Sequence, residues 1–112
     1  MGQDHMGMMK MMQEMQGKMM GGQPKGDRGP ASQAFSGITA RMHQDMAITF
    51  SANTDTDFAK LMVSHHQGAV DMAKVALAFA TDAEIKRVAE GIVKAQEAEI
   101  ARLQGWLKKK GQ

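Results

Sequence analysis

Apolar positions along the chain fall into three stretches with helical spacing, and no stretch alternates in the period-two manner of a strand. The first runs from about Ser32 to Thr49. In it Phe35, Ile38, Met42 and Met46 recur at steps of three and four, while Gly37, Arg41 and Gln44 fall opposite. Ser51 to Asp55 reads as a short loop, with Thr54 or Asp55 capping a second helix over roughly 55 to 80. At about 100° per residue, Phe58, Met62, His65, Ala69, Met72, Ala73, Ala76 and Phe79 share one stripe of that helix. Lys60, Ser64, Gln67, Asp71 and Lys74 share its far side. The third stretch opens with a capping box, Thr81 with Glu84. It continues through Ile85, Val88, Ile92, Ile100, Leu103 and Leu107 to a lysine run and the terminator Gly111, a helix about 40 Å long.

These elements predict an all-α fold, an up-down antiparallel helical bundle with three clear helices. Three helices make a thin core. The fourth place falls either to the N-terminal segment, folded as a helix, or to a second subunit.

Composition divides the chain more sharply than hydropathy does. Nine of the 13 methionines (Met1, Met6, Met8, Met9, Met11, Met12, Met15, Met19 and Met20) lie within the first 20 residues, which contain no Leu, Ile, Val or Phe. Residues 21 to 30, GGQPKGDRGP, have a linker composition. The expected organisation is therefore a Met-rich tail over 1–20, a linker over 21–30 and one helical domain over 31–112, since 112 residues suffice for a single domain. With no Cys, disulfides, thiolate metal clusters and cysteine nucleophiles are excluded, and soft-metal chemistry must use methionine. The formal net charge is +2, less than Lys108, Lys109 and Lys110 alone supply, which argues against a nucleic-acid partner. Asp4, Lys10, Glu14 and Lys18 interrupt the tail, so it is neither a signal-peptide core nor a membrane span, and an exported form would have lost its signal already. Gly2 raises myristoylation, but Met6 stands where that motif needs Ser or Thr.

The histidines and methionines carry the candidate chemistry. His65 falls near the centre of the apolar stripe and His66 toward its edge. A short loop near residue 52 would set Met42 and His43 against Met62 and His66. The turn near residue 81 would set Gln96, Glu97 and Glu99 level with His65, His66 and Val63. Gln96 and Glu99 interrupt the stripe of the third helix, and metal-bound histidines commonly give their second N–H to such a polar group. Met42, His43, Met46, Met62, His65, His66 and Met72 could thus converge within one or two turns. Thioether sulfur favours Cu(I) and imidazole binds Cu(I) and Cu(II), so a His/Met cluster without Cys points to copper. Met at helical spacing also serves as adaptable core filler. The tail has no such packing duty, and Met6, Met8, Met9, Met11, Met12, Met15, Met19 and Met20 join the candidate ligands. Neutral thioethers need not lose a proton to bind, whereas imidazole ligation weakens in acid. A sacrificial oxidant sink and a Met-rich docking surface are the rival uses of the tail.

The segments DFAKLMVSHHQGAVDMAKVAL and DAEIKRVAEGIVKAQEAEIARLQGWL, with ARMHQDM upstream, strongly resemble the domain of unknown function 305 family over about residues 38 to 107. The double His followed by Gln, Gly, Ala and a Met is its most specific element. The resemblance implies a small four-helix, ferritin-like protein, exported to the periplasm or otherwise outside the cytoplasm. Some Met-rich members bind copper and contribute to copper resistance. It also implies copper binding at Met42, His43, Met46, Met62, His65, His66 and Met72, with Gln96 and Glu99 at the polar positions of the last helix. Many members have Pro before the double His, where this chain has Ser64, so the helix kink expected there is missing.

The expected function is therefore non-enzymatic: sequestration or transfer of copper, Cu(I) foremost and Cu(II) through imidazole, for copper homeostasis or resistance. The expected partners are copper ions and a copper-transfer protein, with no nucleic acid and no membrane insertion, and the thin core leaves room for a homodimer. A di-iron oxidase would need Glu three residues before its histidines, and Ala40, Met62 and Val63 stand there instead. A haem-binding bundle with His/Met ligation is a further reading. The alternative from another class is a metal-free helical interaction module docking through methionine.

Overall fold

Each helix begins where a side chain or a proline relieves the first unpaired N–H groups. The computed structural model describes residues 25–111, and among these it is all-helical: α1 (Pro30–Asp45), α2 (Thr54–Phe79) and α3 (Ala83–Lys109), with no strand. The methionines at positions 1 to 20 lie outside the described residues.

α1 starts two residues before the apolar spacing suggests, because Pro30 takes the first helical position, where its missing N–H costs nothing. Asp27 ties down the approach. Its Oδ2 accepts from the Ser32 hydroxyl at 2.8 Å and the Gly29 N–H at 3.0 Å, and these bonds hold its carboxyl below the usual carboxylate value. At the other end α1 stops at Asp45 rather than Thr49. The β-branched pair Ile48 and Thr49 extends a helix poorly. The strand of chain beyond is anchored elsewhere, with the Ser51 hydroxyl and N–H on Asp57 at 2.8 and 3.1 Å.

The caps fall one residue from where the sequence suggests. Asn53, not Thr54 or Asp55, caps α2 through Oδ1 and the Thr56 N–H at 3.1 Å, with Ala52 turned to φ 67° just before it. Asp82, not Thr81, caps α3 through Oδ1 and the Ile85 N–H at 3.0 Å. Glu84 then lies in the first turn, where its charge suits the positive helix end, instead of closing a capping box. Gly111 ends α3 with φ 74°, as expected.

α2 and α3 form an antiparallel hairpin through Ala80 to Asp82, and every buried residue among those described belongs to one of these two helices: Thr56, Ala59, Gly68, Val70 and Ala73 on α2, Ala89 and Ile100 on α3. Apart from Gly68, these residues belong to two facing seams: Thr56, Ala59, Val63, His66, Val70, Ala73 and Leu77 against Ala89, Val93, Gln96, Ile100, Leu103 and Leu107. Steps of three and four set the seams along one another in the manner of a coiled coil. Here the stripe reading is corrected. Phe58 and Phe79 are 58% and 52% exposed, His65 is exposed, and small or β-branched residues one face over make the close contact instead.

α1 has no fully buried residue and packs on another side of α2. Gly68 is the reason it fits: a Cβ there would fall 2.5 Å from the Met42 sulfur and 3.0 Å from its Cγ. Alongside, the Ser64 hydroxyl donates to the Asp45 carbonyl at 3.2 Å, so Ser64 belongs to this seam and not to the polar far side. α2 runs through Ser64 as one unbroken helix. No Cα of α1 comes within 8 Å of one in α3. The three helices thus form an open layer with α2 in the middle, and its radius of gyration, 16.9 Å, exceeds the roughly 12–13 Å of a compact chain of this size.

Candidate metal-binding face

Because α1 and α3 grip α2 from nearly opposite sides, two sides of α2 are covered by no other described helix. One carries Lys60, Gln67, Asp71 and Lys74, where the Gln67 amide donates to Asp71 at 3.0 Å and Lys74 reaches Glu97 of α3 at 4.0 Å. The other carries Phe58, Met62, His65, Ala69, Met72, Ala76 and Phe79, the stripe that the sequence marks as apolar less Ala73, which is buried in the seam with α3.

Helical phase assigns the neighbours to these sides. When two antiparallel helices face each other, the residue after an inward residue turns to the same side on both. Lys74 follows Ala73 and Glu97 follows Gln96, and their ion pair marks the polar side. By the same rule His43, which follows Met42, turns to the side of Ala69, which follows Gly68. Glu99 and Val88 lie about 180–200° from Glu97 around α3, so they too belong to the apolar side. Val88 is 54% exposed there.

The apolar side therefore carries His43 from α1 and Met46 at its C-cap, Met62, His65 and Met72 from α2, and Glu99 from α3. Met42 and Asp45 meet α2 about one turn nearer its C-terminus than a short loop would allow, because the connection after α1 is longer than expected. That shift brings His43 and Met46 level with His65, while Met72 lies about two turns farther along. His43 and His65 are exposed, and Met46, Met62 and Met72 are half-buried. Among the described residues no group of three His, Asp or Glu side chains is close enough to hold a metal. What this face offers is paired imidazole and thioether donors.

His66 is separated from this set. Its ring centroid lies 6.2 Å from that of His65 with the planes at 62°, and it points into the α2–α3 seam, where its Nδ1 is buried without a hydrogen-bond partner. The same is true of Gln96 Oε1 on the facing helix. The sequence sets Gln96 level with His65 and Glu97 level with His66, one residue off, since it is His66 and Gln96 that lie in one seam. Their unpaired atoms are the main polar defect of that seam among the described residues. Glu99, read from sequence as a second polar intrusion, is exposed. Met42 is committed to packing on Gly68. The order inferred from sequence, His65 central and His66 peripheral, is thus reversed with respect to the core.

The family model of the domain of unknown function DUF305 matches residues 1–107. The chain belongs to the DUF305 family. The match begins at Met1, so the Met-rich segment falls within the DUF305 region instead of outside it, as the resemblance over residues 38 to 107 would have it. No curated protein matches the chain. No helix among the described residues of this DUF305 protein is long and apolar enough to cross a membrane.

Proposed function

We propose that this DUF305 protein captures copper, Cu(I) foremost, on the uncovered face of α2, with His65, Met62, His43 and Met46 as the ordered donors and the methionines of residues 1–20 as further capacity. One observation carries the reading: His43 and His65, the exposed histidines among the described residues, share one side of the layer with two half-buried thioethers, at one level along α2. Core duty does not account for them, since the close-packed seam runs along another side. Soft thioether with imidazole is a donor set that Cu(I) prefers over the harder divalent ions, and imidazole admits Cu(II) as well. Met72 extends the set along α2. Met42 and His66 belong to the two packing seams and support the site from behind.

The role is binding and transfer rather than catalysis, outside the cytoplasm, with copper ions and a copper-accepting protein as partners. Closing the fourth place beside α2 would complete the bundle that the family resemblance implies. The metal-free docking module has its own support in the apolar character of the same face, where Phe58, Phe79 and Val88 are each more than half exposed.

An anaerobic Cu(I) competition titration of the full chain against a chromophoric chelator, near neutral and at acidic pH, tests the proposal. Copper capture predicts stoichiometric competition at both, with the tightest class lost in acid as imidazole is protonated and a thioether class retained. Failure to compete at either pH would overturn it in favour of the docking module.

A further inference from the structure

α2 carries two coiled-coil seams, of which one is occupied by a described helix. The open one, Phe58, Met62, His65, Ala69, Met72, Ala76 and Phe79, advances in steps of four and three throughout. That 3.5-residue repeat is the signature of one helix lying along another, and isolated surface residues have no reason to keep it over 21 positions. Apart from the two seams already paired between α2 and α3, the same repeat occurs in the first 20 residues. Met1, His5, Met8, Met12, Met15 and Met19 advance in steps of four and three, with Lys10 and Glu14 on the far side of that period and Asp4 and Lys18 flanking the stripe.

We propose that residues 1–20 dock along the open seam of α2 in the same chain, running parallel to it. Lengths agree: Met1 to Met19 would span about 27 Å as a helix, and Phe58 to Phe79 spans about 32 Å. Chain direction agrees too. α1 runs antiparallel to α2, since Met42 packs on Gly68 and the Asp45 carbonyl meets Ser64. Pro30 is therefore near the Phe79 end of α2, where residues 21–29 deliver the segment. Neither stripe carries a charged Lys, Arg, Asp or Glu. Flexible thioethers suit the uneven floor that Ala69 and Ala76 leave between the larger Phe58, Met72 and Phe79. In this register Met19 lies near Ala76, Met12 near Met72, and His5 and Met8 near His65.

The proposal stands without copper and is tested without it. The chain has no Cys, so introduced thiols are the sole ones present. In the full-length variant Met19→Cys with Ala76→Cys, mild oxidation should give a monomer in which tryptic peptide 19–25 is disulfide-linked to peptide 75–86 in most of the chain. Should that pair melt far below the parent by circular dichroism, Met12→Cys with Met72→Cys probes the same register. Ala69→Cys alone is the rival test: a second copy seated antiparallel on this seam would bring the two Ala69 positions together at the dyad. Efficient disulfide dimers from Ala69→Cys would overturn the proposal and give the face to a homodimer. Absence of the intramolecular link in both double variants would overturn it as well. A copper titration that fails while the link forms would refute the copper reading alone.

Discussion

The two seams of α2 make an instructive pair. Both repeat every 3.5 residues, and the open one holds the larger side chains: Phe58, Met62, Met72 and Phe79, against Thr56, Ala59, Val63, Val70 and Ala73 in the closed one. The closed seam is nonetheless the packed one, with Ala59 at 2% and Val70 at 1% exposure. Small and β-branched residues let two helix axes approach, so close packing selects them over bulk. Bulky apolar residues at helical period mark a face that wants a partner, without saying that α3 is the partner.

The sharpest way to separate the seams is a pair of adjacent substitutions. Val70→Asp places a carboxylate in the closed seam and should cost about 3–5 kcal/mol, unfolding the hairpin. Ala69→Asp, one residue away on the open side, should cost under about 1 kcal/mol in the α2–α3 hairpin. Urea denaturation followed by circular dichroism checks both, and equal losses would erase the distinction between the faces.

A second break concerns α1, which has no fully buried residue. Gly68→Val would force the Met42 side chain out of the groove and should cost about 2 kcal/mol, registered as loss of protection in α1 amides while the α2–α3 hairpin persists. A gain is expected inside the closed seam. His66→Leu removes a buried, unpaired nitrogen and should raise stability by about 1 kcal/mol, read from the denaturant midpoint.

Much of this was legible in the amino-acid order, and the misses share a cause. Helix number, approximate spans and the terminator Gly111 follow from period and turn position, which also bring Gln96 within one residue of its seam partner His66. The caps at Asn53 and Asp82 were displaced by one residue because Thr54 and Thr81 offer competing side-chain acceptors beside them. The roles of His65 and His66 were exchanged because summed hydrophobicity favours the Phe and Met stripe, whereas helix contact depends on side-chain volume. The end of α1 at Asp45 depends on Ser51 being held by Asp57, a tertiary anchor that no local propensity announces.

The smallest effect concerns the start of α1. Hydrogen bonds from Ser32 and Gly29 lower the pKa of Asp27, so its contribution to α1 is fully present above the usual carboxylate value of 3.8 and is lost as pH falls through the lowered value. Protection of the Gln33 amide, whose N–H bonds the Gly29 carbonyl at 3.0 Å, should fall only at that acidic end, and Asp27→Ala should remove the dependence.

The central claim is that the open face binds and the closed face packs, and the adjacent histidines test it most directly. Anaerobic Cu(I) competition on the full chain should show His65→Ala weakening the tightest site at least tenfold, with His66→Ala changing it by no more than about twofold while shifting the melting temperature. Weakening by His66→Ala with no effect of His65→Ala would contradict the account.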